Sequence, residues 1–463
     1  MEFLGRDSEL RRLNQALART GSFSVIWGRR RAGKSRLLIE WCRHCDGLYA
    51  IGENSAPEVQ RRYLASAVAE RFPGFADIEY PTWRSLLARL SVEADQVGWR
   101  GPFIVDELQH LMAADRCFLS QFQNWLDQPG RNLCVAVSGS SRRTMHWAVA
   151  DASAPPLGRA VESFALRPLR AGYLADAFEF RRFSDLVGIY ALWGGMPRYW
   201  ESAVPFGQDI DGAVDTLVLD PSGPLHHEPE HLLHEETPPA TALRPLLDVV
   251  GSGACRLGEI AGRLGRPATS LAKPIAALIE MGIVRREVPF GSDPRSGKRS
   301  LYRIDDPFLR MWFRVVAPHR ATLTAAHPES RLRSWHRYQR ELEARAWEEL
   351  CSAAVPRLHQ SDHPLARLGP FEPAQRFWHR SAPERDIVAR SVDGSRVLVG
   401  EAKRSLDSKN AGRLLAGLAS ADLPGARDCD IVPVLFAPQA DDLPRQNELG
   451  FVVDAESVFS ALR

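Results

Sequence analysis

The sequence predicts an α/β protein built from several domains, and three observations support this prediction. The chain has 463 residues, more than one hydrophobic core ordinarily organises, so roughly two to four domains are expected. Apolar residues make up 44% of the chain and charged residues 25%, as in globular proteins. In residues 1–170, short apolar runs alternate with helical stretches, which is typical of a parallel sheet covered by helices.

The apolar runs of this first part are short enough to be strands of that sheet. They span residues 23–27, 48–51, 103–105, 133–137 and 164–166. Open sheets of this kind bind their ligands at the carboxyl ends of the strands. The residues that follow each run are therefore the first candidates for a functional site.

The composition argues against several other classes of protein. No stretch approaches the roughly 18 apolar residues that a membrane helix needs, and no apolar signal core follows Met1. The seven cysteines are scattered, which favours reduced thiols over a disulfide framework or a zinc site. A net charge of +2 does not by itself indicate a nucleic-acid partner. We therefore expect a cytoplasmic protein without a membrane partner.

Residues 28–35 fit the phosphate-binding pattern G-x4-G-K-[ST] without a mismatch. The pattern follows a predicted strand and opens a predicted helix at 35–41, which is the context in which it binds phosphate. Its glycines let backbone N–H groups converge on phosphate oxygens. Lys34 is expected to reach the β- and γ-phosphates, as a catalytic group, and Ser35 to bind Mg²⁺, so ATP with Mg²⁺ is the predicted cofactor. The predicted cofactor-binding residues are Gly28, Arg29, Arg30, Arg31, Ala32, Gly33, Lys34 and Ser35.

An acidic pair, Asp106 and Glu107, follows the strand predicted at 103–105. Asp106 is expected to hold Mg²⁺ through water, and Glu107 to position or deprotonate the attacking water. The alternative is that the pair only caps a helix. The next predicted strand is followed by serines, of which Ser140 is a candidate sensor of the γ-phosphate, although serine is also common in turns.

Several further segments resemble the archaeal-type ATPases, a branch of the STAND signalling NTPases related to AAA proteins. Residues 3–10 are similar to their "F-x-G-R-x-x-E-L" box, residues 156–159 to "P-L-x-G-R" and residues 194–199 to "G-G-x-P-x-Y". The resemblance implies that Gly5, Arg6 and Pro197 help to form the nucleotide pocket. The alternatives are a turn at Gly5 and Arg6 and a helix break at Pro197.

Residues 241–304 predict three helices followed by a hairpin, which is the order of a winged helix-turn-helix. Thr269 is predicted to cap the third helix. The hairpin loop at 291–299 carries the cations Arg295, Lys298 and Arg299. Such modules often read DNA with a helix, but Lys273 gives this helix only a thin basic face. Contact with DNA and packing within the chain therefore both stay open.

A second hairpin is predicted near the C-terminus, where residues 386–392 and 395–403 flank Asp393 and Gly394. A turn centred on that dipeptide places Asp386 opposite Glu401, and side-chain alternation puts both carboxylates on one face. Two opposed carboxylates repel each other unless a cation lies between them. The same register places Glu384 opposite Lys403, where the two side chains could instead form only a cross-strand ion pair.

Asp386 with the E-x-K sequence of Glu401 and Lys403 is similar to the D…E-x-K signature of the PD-(D/E)XK nuclease-like fold. Helical Glu348 is placed like that family's upstream glutamate, and the archaeal-type ATPases carry a comparable C-terminal domain. The resemblance implies Mg²⁺-dependent phosphodiester hydrolysis, with Asp386 and Glu401 binding metal and Lys403 stabilising charge or steering water. Arg385 departs from the family pattern, and an inactive nucleic-acid-binding or structural domain is the alternative.

The predicted domains are an ATPase core at 1–170, a helical lid at 171–237, a winged helix at 238–315 and a nuclease-like domain at 316–463. The leading hypothesis is an ATPase that directs a nuclease-like domain to nucleic acid, most simply DNA. A signalling switch or transcriptional regulator with an inactive C-terminal domain is the alternative. A third hypothesis is a motor that forms a homo-oligomeric ring. Its candidate arginine fingers are Arg142, Arg143 and Arg159.

Overall fold

The structure is a computed structural model that describes residues 1–140, 145, 160–234, 240–293, 295, 297, 299–379, 382–426, 428–440 and 443–463. The chain divides into two compact units. The N-terminal unit is Gly5–Pro168, and the C-terminal unit is Leu169–Arg463 together with Met1–Leu4. The candidate arginine fingers, the 156–159 box and Lys298 of the predicted wing lie outside the described residues.

The N-terminal unit alternates strands and helices along most of its length. Its strands are β1 (Phe23–Trp27), β2 (Leu48–Ile51), β3 (Phe103–Asp106), β4 (Val135–Gly139) and β5 (Ala160–Ala165). Its described helices of four or more residues are α1 (Asp7–Leu17), α2 (Lys34–His44), α3 (Pro57–Ala69), α4 (Trp83–Gln96), α5 (Leu108–Ala114) and α6 (Phe118–Leu126).

The five strands form one parallel sheet in the order β2-β3-β4-β1-β5, so the predicted parallel sheet is confirmed. The middle strands are apolar and fully buried at Val25, Ile104 and Val135, as strands covered on both faces must be. β1 and β4 pair up to Trp27 opposite Gly139, so their carboxyl ends reach the same edge. The residues predicted to bind nucleotide lie at that edge of the sheet, where β3 also ends.

The C-terminal unit is mainly helical in its first half. Its described α-helices, leaving out 3₁₀ and π segments, are α7 (Leu174–Ala177), α8 (Asp185–Trp193), α9 (Pro197–Ala203), α10 (Ile210–Val214), α11 (Glu228–His234), α12 (Ala240–Gly251), α13 (Leu257–Leu264), α14 (Ala272–Glu280), α15 (Pro307–Met311), α16 (Ala317–Ala325), α17 (Pro328–Ala354), α18 (Ser408–Ala419) and α19 (Ala455–Ala461). Among the described residues, no helix of either unit is long and apolar enough to cross a membrane.

Helices α12, α13 and α14 are followed by the antiparallel strands β6 (Val284–Glu287) and β7 (Leu301–Ile304). The predicted order of three helices and a hairpin is therefore confirmed, while its role as a winged helix stays a prediction. The predicted cap at Thr269 is wrong. Thr269 lies inside a short 3₁₀ turn, Ala268–Leu271, and α14 begins after that turn without a side-chain cap.

A six-stranded mixed sheet forms the last part of the C-terminal unit. Its strands are β8 (Gln375–His379), β9 (Ala382–Arg390), β10 (Arg396–Ala402), β11 (Asp430–Phe436), β12 (Gln446–Asn447) and β13 (Gly450–Val453), and their order is β12-β13-β11-β10-β9-β8.

The predicted register of the C-terminal hairpin is confirmed over four pairs, from Val397 opposite Arg390 to Gly400 opposite Ile387. β10 lies between antiparallel β9 and parallel β11, and its middle residues are fully buried. The charged residues at its end are therefore carried by a central, well-packed strand.

Candidate functional site

The 28–35 loop joins the end of β1 to the start of α2. Helix α2 begins at Lys34, one residue before the predicted start, and its N-cap Gly33 has a left-handed backbone with φ of 91°. Arg31 is also left-handed, with φ of 71°. Alternation of right- and left-handed residues turns successive N–H groups to one side, which forms a concavity suited to an anion. Glycine at position 33 adopts this conformation without the steric penalty of a Cβ atom.

Lys34 is almost completely buried, and its Nζ donates a 3.0 Å hydrogen bond to the carbonyl oxygen of Gly28 in the same loop. The ammonium group thus lies across the loop in which phosphate is predicted to bind. Gly28 leaves no room for a larger residue, because an added Cβ would lie 2.5 Å from the carbonyl oxygen of Leu166. The loop is therefore held close to the residue that follows β5.

Asp106 ends β3 and has no solvent exposure. Its Oδ2 accepts a 2.6 Å hydrogen bond from the Tyr49 hydroxyl, and its Oδ1 accepts from the backbone N–H of Glu107 at 2.9 Å. The hydroxyl of Ser138, on the neighbouring strand β4, also donates to Oδ1. A buried carboxylate needs such donors, and here two adjacent strands supply them.

Tyr49 is a member of this group that no motif in the sequence indicated. Burial raises the pKa of the Tyr49 phenol, and the charge of Asp106 raises it further, so the phenol stays protonated and donates. The neighbouring Ser35 hydroxyl opposes this rise of the pKa. Tyr49 therefore lies between the predicted Mg²⁺ residues Ser35 and Asp106. The available signal was its place on β2, the strand that pairs with β3.

Glu107 has a left-handed backbone with φ of 51°, which is uncommon for a residue other than glycine. It precedes α5 but forms no side-chain cap, so the alternative interpretation as a helix cap is wrong for its side chain. Gln109 donates from Nε2 to Glu107 Oε2, and His110 Nε2 lies 4.0 Å from the same oxygen. Backbone strain of this kind is typical of functional positions. Ser140 follows β4 directly and is half-buried.

Arg6 contacts the 28–35 loop, while its role in the nucleotide pocket stays a prediction. Its Nη2 donates 2.8 Å hydrogen bonds to the carbonyl oxygens of Ala32 and Arg167, and only 5% of the residue is exposed. Arg6 thus ties the loop to the segment after β5. Pro197 belongs to the other unit, where it is the first residue of α9. The helix break there is confirmed, and a role of Pro197 in nucleotide binding stays a prediction.

The C-terminal carboxylates lie where β9 and β10 run side by side. Arg385 Nη1 lies 3.0 Å from Glu401 Oε1, and Lys403 Nζ lies 2.5 Å from Glu401 Oε2. Asp386 Oδ2 accepts a 3.2 Å hydrogen bond from the backbone N–H of Ala402. The alternative pair of Glu384 with Lys403 is wrong, because Lys403 turns to Glu401.

Glu348 of α17 also approaches this group. Burial raises the pKa of Asp386, and the negative charge of Glu348 raises it further. The N–H of Ala402 and the ammonium of Lys403 act in the opposite direction without cancelling the rise. Within the described ranges, no group of three or more His, Cys, Asp or Glu residues is arranged to hold a metal ion. Asp386 and Glu401 alone would therefore need further ligands to hold a cation.

Comparison with known proteins gives a family match and a relative among the curated proteins. Residues 312–414 match the DUF234 family, described as archaeal and bacterial proteins of unknown function, and this segment includes the C-terminal carboxylates. An uncharacterised protein of Methanocaldococcus jannaschii is 27% identical over 323 residues, which cover 68% of this chain and 69% of that protein.

Solved structures resemble the chain at lower identity. A Walker-type ATPase of Pyrococcus abyssi superposes with a TM-score of 0.54 at 19% identity, covering 68% of this chain and 96% of that one. The Aeropyrum pernix ORC2 protein superposes more weakly, with a TM-score of 0.44 at 15% identity over 70% of this chain and 96% of that one. The likeness to the Pyrococcus protein shows that the chain shares the fold of a Walker-type ATPase.

Proposed function

We propose that this chain binds ATP with Mg²⁺ at the 28–35 loop and hydrolyses it. The observation that carries the proposal is the Ser35, Tyr49 and Asp106 group, which sets a buried carboxylate beside the start of α2. The left-handed turns at Arg31 and Gly33 fit a phosphate group, since they make the loop concave toward an anion.

Each predicted residue has a distinct task in this proposal. Lys34 exchanges its hydrogen bond with Gly28 for one with the β- and γ-phosphates. Ser35 and Asp106 hold Mg²⁺, which neutralises charge on the phosphates when it is bound. Glu107 orients the attacking water, and Ser140 contacts the γ-phosphate.

The test is release of inorganic phosphate from ATP by the purified full-length chain. Lys34→Ala is expected to lower ATP affinity by about a hundredfold, the loss of roughly 2.7 kcal/mol of charge-assisted hydrogen bonding. Lys273→Ala is the matched control, because Lys273 is an exposed lysine on α14 in the other unit. Equal ATP affinity in the wild type and in Lys34→Ala would refute the proposal.

We further propose that the C-terminal sheet is a nuclease-like domain that acts on nucleic acid, most simply DNA, under control of the nucleotide state. The hairpin supports this, because its confirmed pairs end at Gly400 and Ile387, so Glu401 and Asp386 are the next residues of the two strands. The rise of the Asp386 pKa beside Glu348 fits a place where a divalent cation would relieve repulsion between carboxylates.

Cleavage of DNA and RNA substrates with Mg²⁺, with and without ATP, tests this part. Glu401→Gln and Lys403→Ala are expected to abolish cleavage, since the first removes a metal ligand and the second a compensating charge. Glu384→Gln is the control, because that side chain is 69% exposed and lies apart from the pair.

One observation favours the second candidate function, a nucleotide-dependent switch without nuclease activity. Both carboxylate oxygens of Glu401 already have a cation beside them, Arg385 on one side and Lys403 on the other. A carboxylate neutralised in this way is a weaker metal ligand. Nucleotide-dependent DNA binding without cleavage in Mg²⁺ or Mn²⁺ would identify this function.

A further inference from the structure

A cavity of about 330 Å³ lies in the C-terminal unit, among the end of α12, strand β7 and helix α17. This volume is within the range of small-molecule sites, roughly 300–1,000 Å³. Its charged lining, counted over the described residues, has five arginines and two glutamates. The arginines are Arg303, Arg310, Arg314, Arg345 and Arg376, and the glutamates are Glu341 and Glu348.

Three of these arginines have close carboxylate partners. Arg310 contacts both oxygens of Glu349, with Nη2 2.7 Å from Oε2. Arg314 Nη2 lies 2.8 Å from Glu341. Arg345 pairs with Glu348 at 2.9 Å and also reaches Glu287 and Glu349. These ion pairs hold three of the lining arginines in place.

Arg376 and Arg303 are bound less closely. The ion pairs of Arg376 with Glu287, Glu384 and Glu348 span 3.7, 3.7 and 4.0 Å, which is beyond hydrogen-bonding distance. Arg303 Nε lies 3.2 Å from Glu287 Oε2 without the geometry of a hydrogen bond. Both side chains therefore keep donor capacity toward the cavity.

The Nε atoms of all five arginines are buried and lack a hydrogen-bond partner among the described residues. A buried donor without an acceptor is unfavourable, so the hydrogen-bonding capacity of this arginine cluster exceeds what its own carboxylates satisfy. Burial lowers the pKa of Arg303, and the charges of Arg345 and Arg376 lower it further. With Glu287 and Glu349, which these arginines also contact, five arginines face four carboxylates, so one positive charge is left over.

We propose that this cavity binds a small phosphate-bearing anion, with Arg303 and Arg376 as its principal contacts, as a second anion site separate from the 28–35 loop. The guanidinium fork matches the oxygens of a phosphate group, and an anion supplies the negative charge that the neighbouring carboxylates leave short. The volume suits a free phosphate, a pyrophosphate or a mononucleotide better than a nucleic-acid strand.

The test uses the full-length Lys34→Ala protein, in which the phosphate affinity of the 28–35 loop is expected to be about a hundredfold lower. Inorganic phosphate, pyrophosphate and AMP are titrated by calorimetry at constant ionic strength. Saturable binding of at least one probe is expected, and Arg376→Gln or Arg303→Gln should weaken it about tenfold, as loss of one charged hydrogen bond does. Arg263→Gln is the control, an exposed arginine of α13 paired with Glu259 at 2.7 Å.

Three outcomes would overturn the proposal. The first is no saturable binding of any probe, and the second is equal weakening by Arg263→Gln. The third is binding of a DNA oligonucleotide, but not of the small anions, with the same dependence on Arg376. If Arg303→Gln does not fold, Arg376→Gln decides the matter, because its ion pairs of 3.7 Å or longer contribute little to folding.

Discussion

The guanidinium of Arg385 lies 3.0 Å from Glu401 Oε1 and approaches the carboxylate from the strand that also carries Asp386. Lys403 binds the other oxygen of the same carboxylate. A divalent cation between Asp386 and Glu401 must compete with both side chains. Since the nuclease-like pattern does not include an arginine at this position, Arg385 is the residue that distinguishes the two candidate functions.

Arg385→Gln is expected to increase divalent-metal affinity at the C-terminal carboxylates about tenfold, because it removes one competing charge from Glu401. Calorimetric titration with Mn²⁺ measures the change. Arg396→Gln is a suitable control, since Arg396 lies in the same hairpin but pairs with Asp393 at the turn. Unchanged affinity in Arg385→Gln would mean that Arg385 does not compete with the metal.

Asp386→Asn is expected to stabilise the metal-free protein at pH 7 by about 1 kcal/mol, since it removes a carboxylate that burial and Glu348 disfavour. A carboxyl group whose folded pKa is raised loses stability as the pH rises from its unfolded value through the folded one. The gain from asparagine should therefore disappear below about pH 4. Urea midpoints at pH 7 and pH 3.5 measure it.

The opposite sign is expected for Asp393→Asn, which makes this variant an internal comparison. Hydrogen bonds from Ser391 and Ser395 lower the pKa of Asp393 to about 2. Its ionised form is favoured in the folded turn, so the amide should destabilise the protein at pH 7. Stabilisation by both variants would contradict the electrostatic explanation.

Tyr49→Phe is expected to weaken Mg²⁺ binding in ATP hydrolysis, because Asp106 loses the 2.6 Å donor that holds it in place while remaining buried. The loss of one such hydrogen bond corresponds to about 1–2 kcal/mol. The Mg²⁺ concentration for half-maximal hydrolysis should therefore rise about tenfold. Tyr63→Phe on α3 is the control, as that ring is 48% exposed. An unchanged Mg²⁺ requirement would remove Tyr49 from the site.

Glu287→Gln should destabilise the chain at neutral pH and much less in acid. Burial alone would raise the pKa of Glu287. The charges of Arg345, Arg285 and Arg303 outweigh it and lower the pKa to about 2. The stabilising contribution is complete above about pH 4.5 and is lost as the pH falls toward 2, so the difference of roughly 2–3 kcal/mol at pH 7 should shrink below pH 4.5.

Urea unfolding from pH 7 to pH 3 measures this difference, with Glu259→Gln as the exposed control. If the free energies of unfolding of wild type and Glu287→Gln differed by the same amount across that range, the charge of Glu287 would not contribute to stability.

Local patterns predicted much of the fold. The strand at β1, the start of α2 within one residue and the register of the β9–β10 hairpin follow from an apolar run, a glycine-rich loop and an Asp-Gly turn. Each of these signals acts over a few residues. The division of the C-terminal unit into a lid, a winged helix and a nuclease-like domain stays a prediction.

Such local patterns did not predict the contacts between residues that are distant in the sequence. Tyr49 and Asp106 are 57 positions apart, and Arg310 and Glu349 are 39 apart, so only the packed chain brings each pair together. The arginine cavity depends entirely on contacts of this kind. Arginine is common along the sequence, and nothing local distinguishes those that line a cavity from those in solvent.

Helix α17 runs for 27 residues without a break, and its C-terminal half carries Glu341 and Glu348 into the arginine cavity. Glu348 also influences the ionisation of Asp386. Because Glu341 and Glu348 lie on one continuous helix, a movement of the helix displaces both side chains together. An anion that draws Arg345 or Arg376 away from Glu348 would change the electrostatic field at Asp386 and Glu401. A small molecule bound in the arginine cavity would then alter the ionisation of those carboxylates without contacting them.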